Sequence, residues 1–368
     1  MTTDIYEELK RRFLLQEEYL GTNKAINKIT PLVSVTVITY QHADYIRKCL
    51  DGILMQKTKF PYEVIIGEDG STDGTKEICK EYAEMHPDRI RLFLRDRNIS
   101  HYKVGDTRFR FNGAFTSMSA RGDYIAICEG DDHWTDIYKL KKQVDILEEN
   151  KQYGMIYSKA RIFNDKKDTY ESGILGKTFD KEDFLTKPIN PIPTLTTVFR
   201  NDLYQKYRQE VEPAKKGWKM GDYPIWLWFL FNSKIYYMVE VTATYRVLEE
   251  SASHTNDKKK DFAFRQNAFD IANYFAKKYC NEMEYQKFLE NRYLALYLLG
   301  VRYDLRESSV YLKKLQKQQS LSLTTRFKII IYHNLKFAYL MSWIKSCETI
   351  KSIWFAMKFF RETIYRVR

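Results

Sequence analysis

The sequence predicts an α/β fold built on a doubly wound, mostly parallel β-sheet. Two apolar runs, PLVSVTVITY (31–40) and YEVIIGEDG (62–70), are rich in β-branched residues and stop at polar turns, as buried parallel strands do. The segment between them, DYIRKCLDGILMQ, repeats apolar residues at helical spacing. A strand, a helix and a second strand form a β-α-β unit, and repetition of this unit gives a sheet covered by helices.

Alternation of helices and strands continues over the first 150 residues. Ser71, Thr72 and Asp73 supply helix-capping side chains, so a helix is predicted directly after the second strand. The next predicted elements are the strand RIRLFLR, a helix from Asn112 to Ala120, the strand DYIAIC and a helix from Tyr138 to Glu149. Strand-like segments with long connections then reach Val247, and the pattern is helical and basic after about Asp257.

The composition is that of a folded protein from a reducing compartment. Apolar residues make up 44% and aromatic residues 15% of the 368 residues, which excludes disorder for most of the chain. The five cysteines are odd in number and form no CxxC pair, so we interpret them as free thiols. The N-terminus lacks the layout of a secretory signal, and the spacing of Ile5, Leu9, Phe13 and Leu20 predicts an amphipathic helix. We therefore expect a cytoplasmic protein.

The net charge of +12 is concentrated in the C-terminal tail. From Tyr311 to Arg368 there are 12 lysine and arginine residues against two glutamates, so the main body needs no basic groove and no nucleic-acid partner is expected. Residues 325–368 alternate basic and apolar side chains but lack the ~18 to 20 apolar residues that span a bilayer. The tail is predicted to lie on an anionic membrane surface. The alternative is that it packs on the main domain with a solvated basic face.

Two acidic clusters follow predicted strands. EGDDHW contains Glu129, Asp131 and Asp132, and GEDGSTDGT contains Glu68 and Asp69. Such turns repel phosphate, but ligands of this sheet type bind at the carboxyl ends of strands. The cluster of Glu68 and Asp69 is suited to accept hydrogen bonds from a base or ribose. The cluster of Glu129, Asp131 and Asp132 becomes compatible with a diphosphate once a hard divalent cation, Mg²⁺ or Mn²⁺, stands between them.

Four ordered motifs then resemble the inverting family 2 glycosyltransferases of the GT-A fold, of the type that makes bacterial polysaccharides. They are VSVTVITYQHADYIRKCLDGILMQ, EVIIGEDGSTDGT, SARGDYIAICEGDD and MGDYPIWLWF, and the resemblance covers Pro31 to His254. It implies a catalytic GT-A domain at 31–256, preceded by the N-terminal helix (1–30) and followed by a helical basic region (257–368).

The resemblance also implies roles for individual residues. Nucleotide-sugar contacts fall on Thr39, Tyr40, Glu68, Asp69 and Asp131. Metal contacts fall on Asp132 and Asp131, and Asp222 of the MGDYP motif matches the catalytic base. Where many relatives have YRxH, this chain reads YRVL with Leu248 in the histidine position, so His254 is a candidate metal or phosphate contact in its place.

The implied activity is that of a metal-dependent inverting hexosyltransferase. Its donor is a nucleotide-diphosphate sugar, with a UDP-sugar favoured, and its acceptor is a hydroxyl of a saccharide or a lipid-linked molecule in surface polysaccharide or glycolipid synthesis. The enzyme would be cytoplasmic, with its tail on the inner face of the cell membrane. One alternative is a sugar-phosphate nucleotidyltransferase, although TYQHADY lacks the glycine-rich basic loop of that class. Another is a nucleic-acid-binding protein that uses the tail.

Individual residues also have structural alternatives. Asp73 is interpreted as a helix cap, Glu129 as an acceptor for backbone amides of its own turn, and Asp222 as an N-cap with Pro224 in the first turn. Trp134, Trp226 and Trp228 could stack on a sugar, although core packing is the more common role of such aromatics and is favoured for Trp228.

Overall fold

The structure is a computed structural model that describes residues 4–104, 107–249, 255, 257–318 and 321–334. The chain divides into two compact units. Unit 1 comprises Met1–Phe184, Ile189–Asn256 and Asn267–Cys280, and unit 2 comprises Leu185–Pro188, Asp257–Gln266 and Asn281–Arg368. Both sheets of the described chain lie in unit 1.

The secondary structure alternates along unit 1 and becomes helical afterwards. The strands are β1 Glu18–Tyr19, β2 Val33–Thr39, β3 Tyr62–Glu68, β4 Ile90–Leu94, β5 His101–Val104, β6 Thr107–Arg110, β7 Tyr124–Ile127, β8 His133–Trp134, β9 Tyr153–Asn164, β10 Thr169–Leu175, β11 Val198–Arg200 and β12 Lys234–Val247. The helices are α1 Ile5–Phe13, α2 Ile46–Leu54, α3 Thr75–Met85, α4 Arg97–Ser100, α5 Asn112–Met118, α6 Lys139–Glu149, α7 Lys181–Thr186, α8 Asn201–Val211, α9 Tyr223–Asn232, α10 Lys258–Tyr279, α11 Glu282–Arg302, α12 Ser308–Gln316 and α13 Leu323–Asn334.

The main sheet has the strand order β1-β4-β3-β2-β7-β11-β9-β12-β8, with β10 paired to β9. Its first block, β4-β3-β2-β7, is parallel throughout, and β9 and β12 form a second parallel pair. Strand β11 is antiparallel to both of its neighbours and joins the two blocks. The predicted doubly wound, mostly parallel sheet with a helical C-terminal region is therefore confirmed for the central strands, whereas β11 within the sheet and the outer strands β1, β8 and β10 pair antiparallel with their neighbours.

The central strands are buried because helices cover them. All seven residues of β3 are buried, and six of the seven residues of β2 are. Helix α2 turns the apolar side chains Ile46, Cys49, Leu50 and Ile53 into the same core cluster as β2, β3 and β7. Burial of apolar surface on this scale stabilises the sheet by about 25 cal/mol per Å² removed from water.

Helix α1 forms a second apolar cluster with α5 and the β5–β6 hairpin. The buried side chains of Leu9, Phe111 and Phe115 form its centre, with Phe13 and Tyr102 packed against them. The predicted N-terminal amphipathic helix is thus present, but it ends at Phe13, and Leu20 lies beyond it with 61% of its surface exposed. The hairpin itself was not predicted, although HYKV alternates polar and apolar residues, because each strand has only four residues.

Unit 2 contains α11, α12 and α13. A capping box starts α11, in which Asn281 accepts a hydrogen bond from the Glu284 amide at 3.0 Å and Glu284 accepts one from the Asn281 amide at 3.1 Å. Among the helices that the structure describes, none is both long and apolar enough to cross a lipid bilayer. Most of the basic tail, residues 335–368, lies outside the described residues, so its predicted membrane contact stays a prediction.

A buried arginine explains why β3 contains a glycine. Arg95 is 3% exposed, and its guanidinium donates to Thr116 Oγ1 at 2.7 Å and to the side chain of Asn112. A Cβ atom on Gly67 would lie 2.0 Å from Arg95 Nη1 and 2.4 Å from Thr116 Oγ1. The arginine network therefore occupies the space that a side chain at position 67 would need.

We predict that Gly67→Ala lowers stability by about 1–3 kcal/mol, the usual cost of overpacking a core. Gly113→Ala is the matched control, since a Cβ atom there meets no atom within 4 Å. Urea denaturation at constant m-value measures both changes. Equal stability of the two variants would contradict this account of Gly67.

A pH-dependent contribution is expected from Glu8. Hydrogen bonds from Arg11 and Arg12 lower the pKa of Glu8 from 4.5 to about 2. Because the folded-state pKa is depressed, the contribution is complete above pH 4.5 and is lost as the pH falls towards 2. Glu8→Gln should therefore lower the melting temperature at pH 7, and the difference from wild type should shrink between pH 4.5 and 2. A difference that is constant over this range would contradict the assignment.

Candidate active site

Two acidic turns meet at one edge of the sheet, on either side of the end of β2. The amide of Asp69, just after β3, donates to the carbonyl of Thr39 at 3.0 Å. The amide of Gly130, three residues after β7, donates to the carbonyl of Ile38 at 3.0 Å. Because β3, β2 and β7 are parallel, both turns lie at their carboxyl ends, where ligands of such sheets bind.

In the first turn, Glu68 and Asp69 have different surroundings. Glu68 is fully buried and accepts hydrogen bonds from the amides of Ser71 at 2.6 Å and Gly70 at 3.2 Å, so it fixes the shape of the turn. Asp69 is 6% exposed, and its two oxygens contact Ser100 Oγ and, at 2.9 Å, His101 Nε2. Both residues were predicted as nucleotide contacts, and of the two only Asp69 retains an exposed fraction.

Tyr40 and Asp73 flank this turn. Tyr40 is 42% exposed, and the Arg97 guanidinium lies 3.8 Å from the centroid of its ring. Asp73 accepts from the Thr75 amide at 3.1 Å, at the start of α3, and from the Ala43 amide at 3.0 Å. Gly74 and not Asp73 is the N-cap residue of α3, and no side chain caps the helix, so the capping interpretation of Asp73 is wrong in that form. The Asp73 carboxylate instead binds the first amide of α3 and ties it to the loop after β2.

The second turn is held by Arg246 of β12. The Arg246 amide donates to Asp132 Oδ1 at 2.7 Å, and its Nε donates to the Asp131 carbonyl at 3.0 Å. The guanidinium also binds Asp165 Oδ1 at 2.7 Å. Asp132 is 3% exposed, and burial together with the neighbouring carboxylates of Asp131 and Glu129 raises its pKa well above the ordinary value.

Buried polar atoms without a hydrogen-bond partner gather around this turn. Among the described residues, Thr39 Oγ1, His42 Nδ1 and Glu129 Oε2 have none. The first two lie 2.7 and 2.8 Å from the position of a Cβ atom on Gly130, so only glycine fits there. Burial and the charges of Asp131 and Asp222 raise the pKa of Glu129 to about 8. A hydrogen bond from its own backbone amide lowers the pKa of Glu129 slightly against these effects, so the alternative holds for that one amide, whereas Oε2 has no partner.

Asp222 stands at the N-cap position of α9, with Pro224 in the first turn. Its side chain makes no capping hydrogen bond and instead accepts one from Thr194 Oγ1 at 2.9 Å. The N-cap alternative for this carboxylate is therefore wrong. The charge of Asp222 contributes to the raised pKa of Glu129. Asp222 therefore acts on the second acidic turn, although it lies about 90 residues later in the chain.

The three tryptophans belong to the core, and none presents a face to solvent. Trp134 is 1% exposed and donates from Nε1 to the Leu195 carbonyl at 2.7 Å. Trp228 donates to Glu210 at 3.1 Å, and Trp226 is fully buried. Stacking of these rings on a sugar is excluded in this conformation, because all three rings are buried and the Lys139 ammonium lies over the Trp134 ring, 4.1 Å from its centroid.

The chemistry of the second turn fits a hard cation. Asp131 and Asp132 supply carboxylate oxygens, the ligands that Mg²⁺ and Mn²⁺ prefer, and Glu129 Oε2 is a further oxygen without a partner. No group of three or more metal-binding side chains exists among the described residues. His254 lies outside the described residues, so its predicted metal contact stays a prediction.

Several functional candidates were missed by sequence reasoning. Ser100 and His101 reach Asp69 from 31 and 32 residues away, Arg246 holds Asp132 from 114 residues away, and Thr194 orients Asp222. Ser100, His101 and Thr194 stand in no motif that marks them as site residues. Arg246 belongs to the YRVL segment, but the sequence analysis used that segment only to compare Leu248 with the histidine of YRxH.

Comparisons with known proteins agree with this arrangement. Residues 34–208 match the model of the family described as Glycosyl transferase family 2. An uncharacterized protein of Mycobacterium tuberculosis is 39% identical over 148 residues, 40% of this chain and 38% of the relative's length. EpsE, a proposed glycosyltransferase of Bacillus subtilis, is 27% identical over 237 residues, which is 64% of this chain and 78% of EpsE. TuaG of the same species, a proposed teichuronic acid biosynthesis glycosyltransferase, is 32% identical over 124 residues, 32% of this chain and 43% of TuaG.

Two solved structures are similar to the chain at low sequence identity and with TM-scores below 0.5. TarS of S. aureus in complex with UDP has a TM-score of 0.48 and 14% identity, covering 82% of this chain and 78% of TarS. A mannosyltransferase from Pyrobaculum calidifontis in complex with GDP-Man and Mn²⁺ has a TM-score of 0.45 and 16% identity, covering 91% and 89%.

The chain thus spans well under half the length of the mycobacterial relative, but its family match covers the strands that carry both acidic turns. The observed sheet with its flanking helices is the architecture predicted from the GT-A resemblance, and that prediction is confirmed. Residues 34–208, just under half of the chain, are thus the part that is similar to glycosyl transferase family 2.

Proposed function

We propose that this glycosyltransferase moves a sugar from a nucleotide diphosphate to an acceptor hydroxyl with inversion at the anomeric carbon. The observation that carries the proposal is that Asp222 is linked to the Glu129–Asp132 turn: Thr194 binds Asp222, the next residue, Leu195, accepts a hydrogen bond from Trp134 just after the turn, and the charge of Asp222 raises the pKa of Glu129. Inversion in one displacement needs a base on the acceptor side and charge stabilisation on the leaving-group side. Asp222 and the turn supply carboxylates for both tasks.

The donor's base is assigned to the first turn. Thr39, Tyr40 and Asp69 lie at the ends of β2 and β3, and Glu68 shapes the turn through the amides of Gly70 and Ser71. A carboxylate accepts hydrogen bonds and cannot donate them, so Asp69 suits a base with an N–H on its pairing edge. Uracil meets this requirement, which supports a UDP-sugar as the donor.

The leaving diphosphate is assigned to the second turn. Asp131 and Asp132 would hold Mg²⁺ or Mn²⁺, which supplies positive charge to the departing diphosphate. Two carboxylates are enough, because Mg²⁺ sites at phosphates commonly use one or two protein carboxylates and complete the shell with phosphate oxygens and water. The backbone of Arg246 fixes Asp132 Oδ1, so the turn is preorganised for this task.

Asp222 is the proposed base. It would take the proton of the acceptor hydroxyl while that oxygen bonds to the anomeric carbon. The bond from this carbon to the diphosphate breaks, and the diphosphate leaves with the electron pair. The hydrogen bond from Thr194 to Asp222 Oδ2 leaves Oδ1 for the acceptor. The half-buried position of Asp222 reduces its solvation without removing it from the surface.

The acceptor class is proposed from the relatives and the tail. EpsE and TuaG are both described as glycosyltransferases, and the name of TuaG refers to teichuronic acid biosynthesis. A saccharide or lipid-linked acceptor at the inner face of the membrane would also suit the basic, apolar tail from residue 325.

The test of the base is Asp222→Asn, since an amide keeps the hydrogen bond from Thr194 but cannot take a proton. We expect transfer to fall by about a hundred- to ten-thousandfold, the usual contribution of general base catalysis, with nucleotide binding and melting temperature unchanged. Asp202→Asn, in the first turn of the neighbouring α8, is the control and should keep full activity. Near-normal transfer by Asp222→Asn would place the base elsewhere.

The test of the metal site is Asp132→Asn, which can still accept the hydrogen bond from the Arg246 amide. Loss of the charge should abolish the Mg²⁺- or Mn²⁺-dependent part of UDP binding and lower transfer by about a hundredfold or more. Asp145→Asn on the exposed face of α6 serves as the control. Isothermal titration with and without metal measures the effect, and full wild-type turnover in EDTA would rule out the metal role.

A further inference from the structure

We propose that helix α1 is part of the donor site and sets its affinity for the base of the nucleotide. This inference rests on the proposed function, because it concerns the base that Asp69 would bind. Helix α1, Ile5–Phe13, precedes the residues 34–208 that match the family, so the match itself assigns it no role. Three successive sets of contacts link it to Asp69.

The first set fixes the Asp69 carboxylate. Ser100 Oγ donates to Oδ1, and His101 Nε2 lies 2.9 Å from Oδ2. Ser100 is fully buried, whereas the side chain of His101 is 28% exposed and stands next to the exposed part of Asp69. Each carboxylate oxygen has a second lone pair, so Asp69 is oriented but still able to accept a hydrogen bond from a ligand.

The second set fixes Ser100 and His101 themselves. Arg12 of α1 donates from Nη1 to the carbonyls of Ile99 and His101, each at 3.1 Å, and to the carbonyl of Asn98. Its guanidinium also lies 4.7 Å from the centroid of the Tyr102 ring. One arginine therefore holds the backbone on both sides of Ser100, and the positions of the two side chains at Asp69 depend on it.

The third set fixes Arg12. Glu8 binds Arg12 Nε, and the 15% exposure of the arginine side chain shows that this pair is largely removed from solvent. The segment after α1 adds a second link, because Gln16 Oε1 accepts from Nη2 of Arg95 at 2.9 Å. Burial lowers the pKa of Arg95 to about 9, and the nearby Asp69 carboxylate opposes this effect. The N-terminal segment thus supports the Asp69 carboxylate from two directions.

The chemistry predicts which part of the ligand depends on α1. A preoriented carboxylate favours a base with an N–H at its pairing edge, such as uracil or guanine, and disfavours cytosine or adenine, which present a lone pair there. The diphosphate is bound at the other acidic turn, on the opposite side of the end of β2. Loosening α1 should therefore weaken recognition of the base and leave recognition of the diphosphate unchanged.

Arg11 and Arg12 form a natural matched pair for the test. Both bind Glu8, but the Arg11 side chain is 59% exposed and has no hydrogen bond to residues 98–101. We would compare Arg12→Ala and Arg11→Ala in the full chain, measuring affinities for UDP, GDP and inorganic pyrophosphate by titration calorimetry in Mg²⁺. Arg12→Lys and His101→Ala complete the set, so that the test stands even if Arg12→Ala does not fold.

Arg12→Ala should weaken the tighter-bound of UDP and GDP by about tenfold, the scale of one charge-assisted hydrogen-bond network, and leave pyrophosphate affinity unchanged. His101→Ala should show the same selective loss, Arg12→Lys a smaller one and Arg11→Ala none. Equal losses for the nucleotide and pyrophosphate, no loss in Arg12→Ala, or equal effects of the two arginines would overturn the inference alone. A wild-type protein that binds pyrophosphate but neither nucleotide would overturn the proposed donor as well.

Discussion

The parallel alignment of β2 between β3 and β7 is the constraint on which the site depends. The backbone pairs Val33 to Thr39 in register with Tyr62 to Glu68 on one side, and Val33 to Thr36 with Tyr124 to Ile127 on the other. This register brings two turns from distant parts of the sequence to one edge. The alignment is held by a core whose strands are almost entirely buried. Burial of these apolar side chains therefore stabilises the positions of the acidic turns at the edge of the sheet.

The acidic edge combines buried charge with incomplete hydrogen bonding. Asp132 is anchored by the Arg246 amide, but Glu129 Oε2, Thr39 Oγ1 and His42 Nδ1 have no partner among the described residues. A buried polar group left without a partner costs about 1–3 kcal/mol, and native proteins keep such groups mainly where function requires them. The concentration of these groups around Gly130, at the carboxyl end of a parallel block, is the physical reason to regard this turn as a ligand site.

The two sides of the edge are supported by different parts of the chain. The Asp131–Asp132 turn is held by Arg246 of β12 and, through it, by Asp165 at the end of the β9–β10 hairpin. The Asp69 turn is held by Ser100 and His101, whose backbone depends on Arg12 of α1. Elements outside residues 34–208 therefore support both acidic turns, β12 directly through Arg246 and α1 indirectly through the backbone of residues 98–101.

The sequence alone determined the order of the elements and the positions of the acidic turns. β-Branched runs, helical spacing and capping residues are local signals, and they were enough to predict β2, β3, β7, α2, α5 and α6 and to mark Asp69, Asp131 and Asp132 as site candidates. Only the tertiary structure decided the partners of these carboxylates. Three partners lie 28 to 114 residues away in the sequence from the carboxylates that they bind: His101 from Asp69, Arg246 from Asp132 and Thr194 from Asp222. Sheet order and the paths of the loops decide that these groups meet. Hydrogen bonds form between groups that meet in space, and a local pattern in the chain carries no information about which distant segment the fold brings to them.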